Sequence, residues 1–134
     1  MTQPTCQIIR RAGTYTGKQA LTYQSGIAAE TVGSQAICMH LLTMPPGARA
    51  VAHMHESHET AIYMLSGEAA MWYGPRLEHH AVVRAGDMIY IPAGVPHLPF
   101  NPTDSDAVAL ITRTDPNEQE SVVLLPELES TVPS

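Results

Sequence analysis

Turn residues recur so often along this chain that helices of ordinary length do not fit between them. Eleven prolines and nine glycines cut 134 residues into short segments, the punctuation of an all-β sandwich or barrel. Ala36 to Met44 is an apolar run ended by Pro45-Pro46-Gly47; bounded this way, it reads as a buried strand. Further strands are predicted over Ala61–Leu65, Glu68–Tyr73, Leu77–Arg84, Asp87–Ile91 and Ala107–Thr112, with weaker seeds at Ile8-Ile9 and Ala20-Leu21. No repeat or linker interrupts them, so residues 1–134 read as one all-β domain with little or no helix. After Arg113 the character changes: an acidic, turn-rich stretch precedes the apolar Val122 to Leu125. Such a segment in the 114–134 tail is expected to dock on its own barrel or on a partner subunit, as strand or as helix.

Charge narrows the function classes. Seven Lys+Arg against thirteen Asp+Glu give a net charge of −6, which disfavours nucleic acid and anionic membranes as partners. No apolar run reaches the ~18 residues of a membrane span. Met1 to Arg10 has no charged-then-apolar layout, so a cytoplasmic protein is expected. Cys6 and Cys38 are too few for a disulfide framework.

Histidine is the residue that stands out, with seven in the chain. His53 and His55 sit two apart and project from one face of an extended strand. His58 and Glu59 follow closely, and His97 comes after the rigid turn Pro92-Ala93-Gly94-Val95-Pro96. Neutral imidazoles with one carboxylate suit a first-row transition metal.

The spacing extends this. From Gly47, five residues precede His53, one separates it from His55, and three more precede Glu59. From Gly86, five residues precede Pro92, one precedes Gly94, two precede His97 and three precede Asn101. These runs resemble the paired motifs of the cupin superfamily, with residues 45–101 carrying the resemblance and some similarity to its polyketide cyclases. The resemblance implies a jelly-roll barrel holding one divalent metal ion: iron, manganese, nickel, zinc, cobalt or copper. His53, His55, Glu59 and His97 are the implied ligands, and Asn101 is implied to be structural.

One departure leaves the fourth ligand open. Seven residues lie between Glu59 and Gly67, whereas the family pattern has six; counting back from Gly67 puts Thr60 at the ligand position. A β-bulge absorbs one extra residue. If it falls after Glu59, Glu59 ligates. If it falls before, Thr60 and His58 face inward and His58 replaces Glu59 as ligand. Whichever of Glu59 and His58 does not ligate becomes the acid–base candidate.

Alternation from Thr60 turns Ile62 and Met64 toward the metal and Tyr63 and Leu65 away. Met71 and Tyr73 are expected to face the cavity and Trp72 the other side. His40 is a further candidate in the cavity wall, and His79-His80 are expected in solvent. The predicted site takes a small, largely apolar, oxygen-bearing substrate: oxygenation with a redox metal, cyclisation or isomerisation with zinc. The alternative is a binding module without turnover. A homodimer formed by exchange of terminal strands is expected to cover the sheet edges.

Overall fold

A computed structural model describes residues 3–10, 13–119 and 121–133. Eleven strands form two antiparallel sheets. The larger contains β1 (Thr14–Thr16), β2 (Thr22–Ile27), β3 (Cys38–Met44), β5 (Thr60–Ser66), β8 (Met88–Ile91) and β10 (Ala107–Arg113), in the order β1-β2-β3-β10-β5-β8. The smaller contains β4 (His53–His55), β6 (Glu68–Tyr73), β7 (His79–Arg84), β9 (His97–Phe100) and β11 (Val122–Leu124), in the order β11-β4-β9-β6-β7. Among the described residues, helix is confined to one turn at Ala29–Val32 (α1) and a 3-10 segment at Pro126–Thr131. This is the all-β jelly-roll that the spacing of turns implies.

Six strands, β3, β5, β6, β7, β8 and β10, follow predicted runs with boundaries shifted by at most two residues, whereas the seed at Ile8-Ile9 forms no strand. β10 extends one residue past the predicted Thr112, which brings in Arg113. The tight turn between β5 and β6 depends on Gly67, whose φ is +77° and whose missing Cβ would lie 2.2 Å from the Asp106 carbonyl oxygen. No larger residue fits there without moving backbone.

The pleat puts alternate residues of both sheets into a shared interior. Leu42, Met44, Met64, Ala109 and Ile111 pack there against Leu21 and Tyr23. Burial of such side chains contributes about 1.5–3 kcal/mol each. A second cluster of Ala52, Leu77, Leu98 and Val132 is packed against Trp72, Phe100, Leu125 and Leu128. His97 faces the interior, so Leu98 faces the opposite way, and the C-terminal segment covers that side.

The tail therefore docks on its own chain. Val122, Val123 and Leu124 pair with His55, Met54 and His53 on β4. The Leu125 amide donates to the Ala52 carbonyl at 2.8 Å, the Ala52 amide donates to Glu129 at 3.0 Å, and Arg49 donates to the Pro133 carbonyl at 2.8 Å. Of the two placements open to the tail, the described chain shows the first.

Candidate metal centre

Each histidine of the site enters from a strand that the sequence punctuates precisely. His53 and His55 are the first and last residues of the short strand β4, with Met54 between them turned away. His97 opens β9 directly after Pro96, and it is the cross-strand partner of His53. The three rings lie close together: centroids are 4.3 Å apart for His53–His97, 5.3 Å for His53–His55 and 5.0 Å for His55–His97. One nitrogen from each falls within 4.8 Å of the others.

The same local device aims two of the rings. His53 Nδ1 lies 2.6 Å from the Val51 carbonyl and His97 Nδ1 lies 3.0 Å from the Val95 carbonyl, two residues upstream in both cases. A carbonyl only accepts, so both Nδ1 atoms carry the proton and Nε2 keeps its lone pair for a ligand. Burial keeps the rings neutral. It lowers the His53 pKa to about 3, helped by repulsion from His97 and opposed by the Val51 bond. His55 is lowered to about 2 by burial, then by His97, His53 and Arg113. His97 is lowered to about 4 by burial, partly offset by the Val95 carbonyl. Three buried, neutral imidazoles, two of them aimed by a carbonyl, are the donor set that zinc, iron, manganese, nickel, cobalt or copper takes, and the residues present fit a metal ion.

Glu59 does not join them. Thr60, Ile62 and Met64 face inward, held in register opposite Arg113, Ile111 and Ala109 on β10. Strand alternation then turns Glu59 outward, where it is exposed and accepts a 2.6 Å hydrogen bond from the Tyr90 hydroxyl. Its amide donates to Thr114 Oγ1 at 3.0 Å, and its carbonyl accepts from the Thr114 amide at 3.1 Å. Glu59 as metal ligand and as acid–base group is thereby corrected. Thr60 is the inward residue although the extra residue lies between it and Gly67. The register shift between β5 and β10 falls at Leu65, where Val108 pairs Ser66 and Ala109 pairs Met64. That bulge lies after Glu59, the case in which Glu59 is expected to ligate, yet Glu59 faces outward, so the position of the bulge does not decide the ligand as expected.

His58 is buried beside the cluster, its ring 4.6 Å from that of His55. Its Nδ1 lies 3.6 Å from Asp115 Oδ2 and 3.4 Å from Ser121 Oγ. The three-nitrogen group comprises His53, His55 and His97 without it.

The triad forms one end of an interior cavity of about 70 Å³. Thr60, Ile62, Met64 and Met71 line it, in a mainly apolar wall. Tyr73 lines instead an adjoining cleft of about 500 Å³ that shares Met71, Val83, Ile89, Ile91 and His97 with the cavity. His40 is corrected too. It faces the interior from β3, but its Nδ1 accepts the Gly26 amide at 3.0 Å and its ring meets Tyr15 edge-on at 5.2 Å. Trp72 packs on the far side of its sheet, and His79 and His80 are exposed.

Three polar residues of the cavity wall were missed in the sequence. Arg113 is 4% exposed and lines the cavity, its Nη2 donating to the Tyr23 hydroxyl at 3.3 Å. Gln19 donates to the same hydroxyl at 2.5 Å. Alternation along β10 signals Arg113, since Ala107, Ala109 and Ile111 point inward and the next position in that series is 113. Gln19 and Tyr23 carry no such signal. Thr60 Oγ1 is buried in the same wall without a hydrogen-bond partner.

A two-sheet antiparallel barrel with a histidine cluster inside it defines a β-barrel of metal-site type. The chain matches the Cupin domain family profile over residues 40–113 and belongs to the cupins. No curated protein matches it in sequence. Among solved structures, the polyketide cyclase RemF from Streptomyces resistomycificus is 22% identical with a TM-score of 0.68, aligning 99% of this chain with 95% of that one. A Lactobacillus farciminis oxalate decarboxylase, in a formate complex, is 20% identical with a TM-score of 0.69 over 91% of this chain; the chain spans 36% of its length. A sugar phosphate isomerase of the cupin superfamily from Silicibacter pomeroyi is 20% identical with a TM-score of 0.60, aligning 78% of this chain with 69% of that one. At these identities the likeness is one of fold. Among the described residues no helix is long and apolar enough to cross a membrane.

Proposed function

We propose that the protein is a metal-dependent cupin enzyme acting on a small, largely apolar molecule that bears oxygen. The observation that carries this reading is the group of His53, His55 and His97, three nitrogens within 4.8 Å at one end of a mostly apolar cavity. A metal held there supplies Lewis acidity toward an oxygen ligand, or oxygen chemistry if it is redox-active. The chain's own residues divide the remaining work. Ile62, Met64 and Met71 exclude water and hold the apolar body. Arg113 and the Thr60 hydroxyl supply hydrogen bonds to an oxygen that gains negative charge. His58, buried beside the His55 ring with Asp115 next to its Nδ1, remains the acid–base candidate in place of Glu59.

The likeness in shape to a polyketide cyclase of nearly equal length favours cyclisation or isomerisation over oxygenation, as an analogy of fold. The test is elemental analysis of chain purified without chelators, with His53→Ala and His97→Ala alongside. Near-stoichiometric metal in the wild type and none in either variant supports the reading. Zinc directs the search to cyclisation and isomerisation, and a redox metal to oxygen consumption. No metal and no uptake of any of these ions overturns it and leaves a binding barrel. The expected cytoplasmic location and homodimer belong to the same proposal.

A further inference from the structure

The strand that carries two of the three site histidines is held on one side by the C-terminal segment. β4 has three residues, and among the described residues its register toward β9 rests on the single pair His53–His97. The Gly94 amide supports that side by donating to the His55 carbonyl at 2.7 Å. On the other edge all three residues pair with β11: His55 with Val122, Met54 with Val123 and His53 with Leu124. The contacts continue past both ends of the ladder. The Glu56 amide donates to the Ser121 carbonyl at 3.4 Å, and the Leu125 amide donates to the Ala52 carbonyl at 2.8 Å. Hydrogen-bonded pairs alternate along an antiparallel ladder, so Val123–Met54 is the bonded pair between these two.

Side chains repeat the connection at His55. Its ring packs 4.6 Å from the His58 ring, and His58 Nδ1 lies 3.4 Å from Ser121 Oγ, at the residue before β11. His97 is supported differently. β9 pairs with β6 over four residues, Ala70 to Tyr73 against Phe100 to His97, and the Val95 carbonyl aims the ring. The third ligand candidate is thus fixed without the tail, and the two on β4 are not.

We infer that β11 is a positioning element of the centre and that Val123 acts in it through its backbone amide. Docked, the tail holds His53 and His55 within reach of His97. Released, it leaves β4 to turn about the His53–His97 pair, and the three nitrogens lose their common focus. One consequence rests on the metal reading proposed above. Coupling between binding events is reciprocal, so if release of the tail weakens metal binding by some factor, bound metal holds the tail closed by the same factor. Such release is a local opening of a chain end, and it frees Glu129, whose carboxylate accepts the Ala52 amide at 3.0 Å when the tail is docked. Metal content and access to the chain's own C-terminal segment are thereby linked.

The test compares Val123→Pro, which removes the ladder amide, with Val123→Ala, which keeps it. Titration of the metal-free full chains with zinc ion should show Val123→Pro weaker by about tenfold, the scale of one lost ladder hydrogen bond. Val123→Ala should match the wild type. A second readout needs no metal: labelling of the metal-free chains with diethyl pyrocarbonate, located by mass spectrometry. His55, 2% exposed, should become about tenfold more reactive in Val123→Pro alone. His40, 1% exposed in the other sheet, should stay protected and reports that the fold is intact. Equal zinc affinity in all three chains, with His55 protected in each, overturns the inference. A wild type that takes no zinc overturns the metal reading instead, and His55 labelling alone then decides the role of the tail. If Val123→Pro also exposes His40, cleavage of the wild type by a glutamate-specific protease decides. Cleavage after Glu127 and Glu129 slowed about tenfold by zinc supports the inference, and an unchanged rate overturns it.

Discussion

His53 and His97 are directly paired across the β4–β9 ladder, with their rings 4.3 Å apart. Some 44 positions separate them in sequence, yet each holds its ring by the carbonyl of a valine two residues upstream. The pairing of two short strands thus creates the centre.

Metal binding is expected to couple to stability. At a free metal concentration of 100 Kd, a site present only in the folded chain adds about 2.7 kcal/mol. Chelation should therefore lower the melting temperature of the wild type and leave His97→Ala unchanged. Equal responses of the two proteins to chelator would place the metal elsewhere.

Glu59→Gln is expected to leave metal content at the wild-type level, because the carboxylate faces Tyr90 and solvent. Thr60→Glu points a carboxylate at the cavity and should raise metal affinity tenfold or more, a change of about 1.4 kcal/mol or larger. Isothermal titration of the two apo variants reads this directly. A loss of metal in Glu59→Gln would reverse the assignment.

The Thr60 hydroxyl, buried without a partner, costs the apo protein its desolvation. Thr60→Val should be neutral or stabilising by about 1 kcal/mol in urea unfolding of the metal-free chain. A cost above ~2 kcal/mol would reveal a hydrogen bond that the hydroxyl makes in solution.

Acid should unfold the metal-free chain partly through His40. Burial and Arg113 lower its pKa from 6.5 to about 4, opposed by Glu30. Between these values the unfolded chain binds a proton that the folded chain does not. Stability is therefore complete above pH 6.5 and falls as pH drops toward 4, by up to about 1.4 kcal/mol per pH unit from this ring. His40→Asn, which retains an acceptor for the Gly26 amide, should show a shallower slope across that window. Parallel profiles for the two proteins would exclude His40 as the cause.

Removal of residues 117–134 should destabilise the chain itself. It strips β11 from β4 and uncovers Leu98 and Leu77, which are fully buried. A loss of several kcal/mol is expected, since even one large-to-small change at such a site costs about 2–5 kcal/mol. Urea unfolding measures it, and wild-type stability in the truncated chain would mean that the tail contributes no packing.

Six of the strands, the interior alternation of Thr60, Ile62 and Met64, and the candidates His53, His55 and His97 were legible in the sequence. Glycine and proline set the turns, and a period of two sets the faces, so these features are local. The sequence by itself determined an all-β chain with cupin spacing and a nitrogen-rich site. Only the tertiary structure decided which residues meet: that the β5 register turns Glu59 to solvent, that the tail pairs with β4, that His40 bonds Gly26, and that Arg113 and Tyr23 share the cavity wall. Each of these depends on contacts between strands far apart in the chain, and local pattern carries no information about which distant partner sets a strand's register.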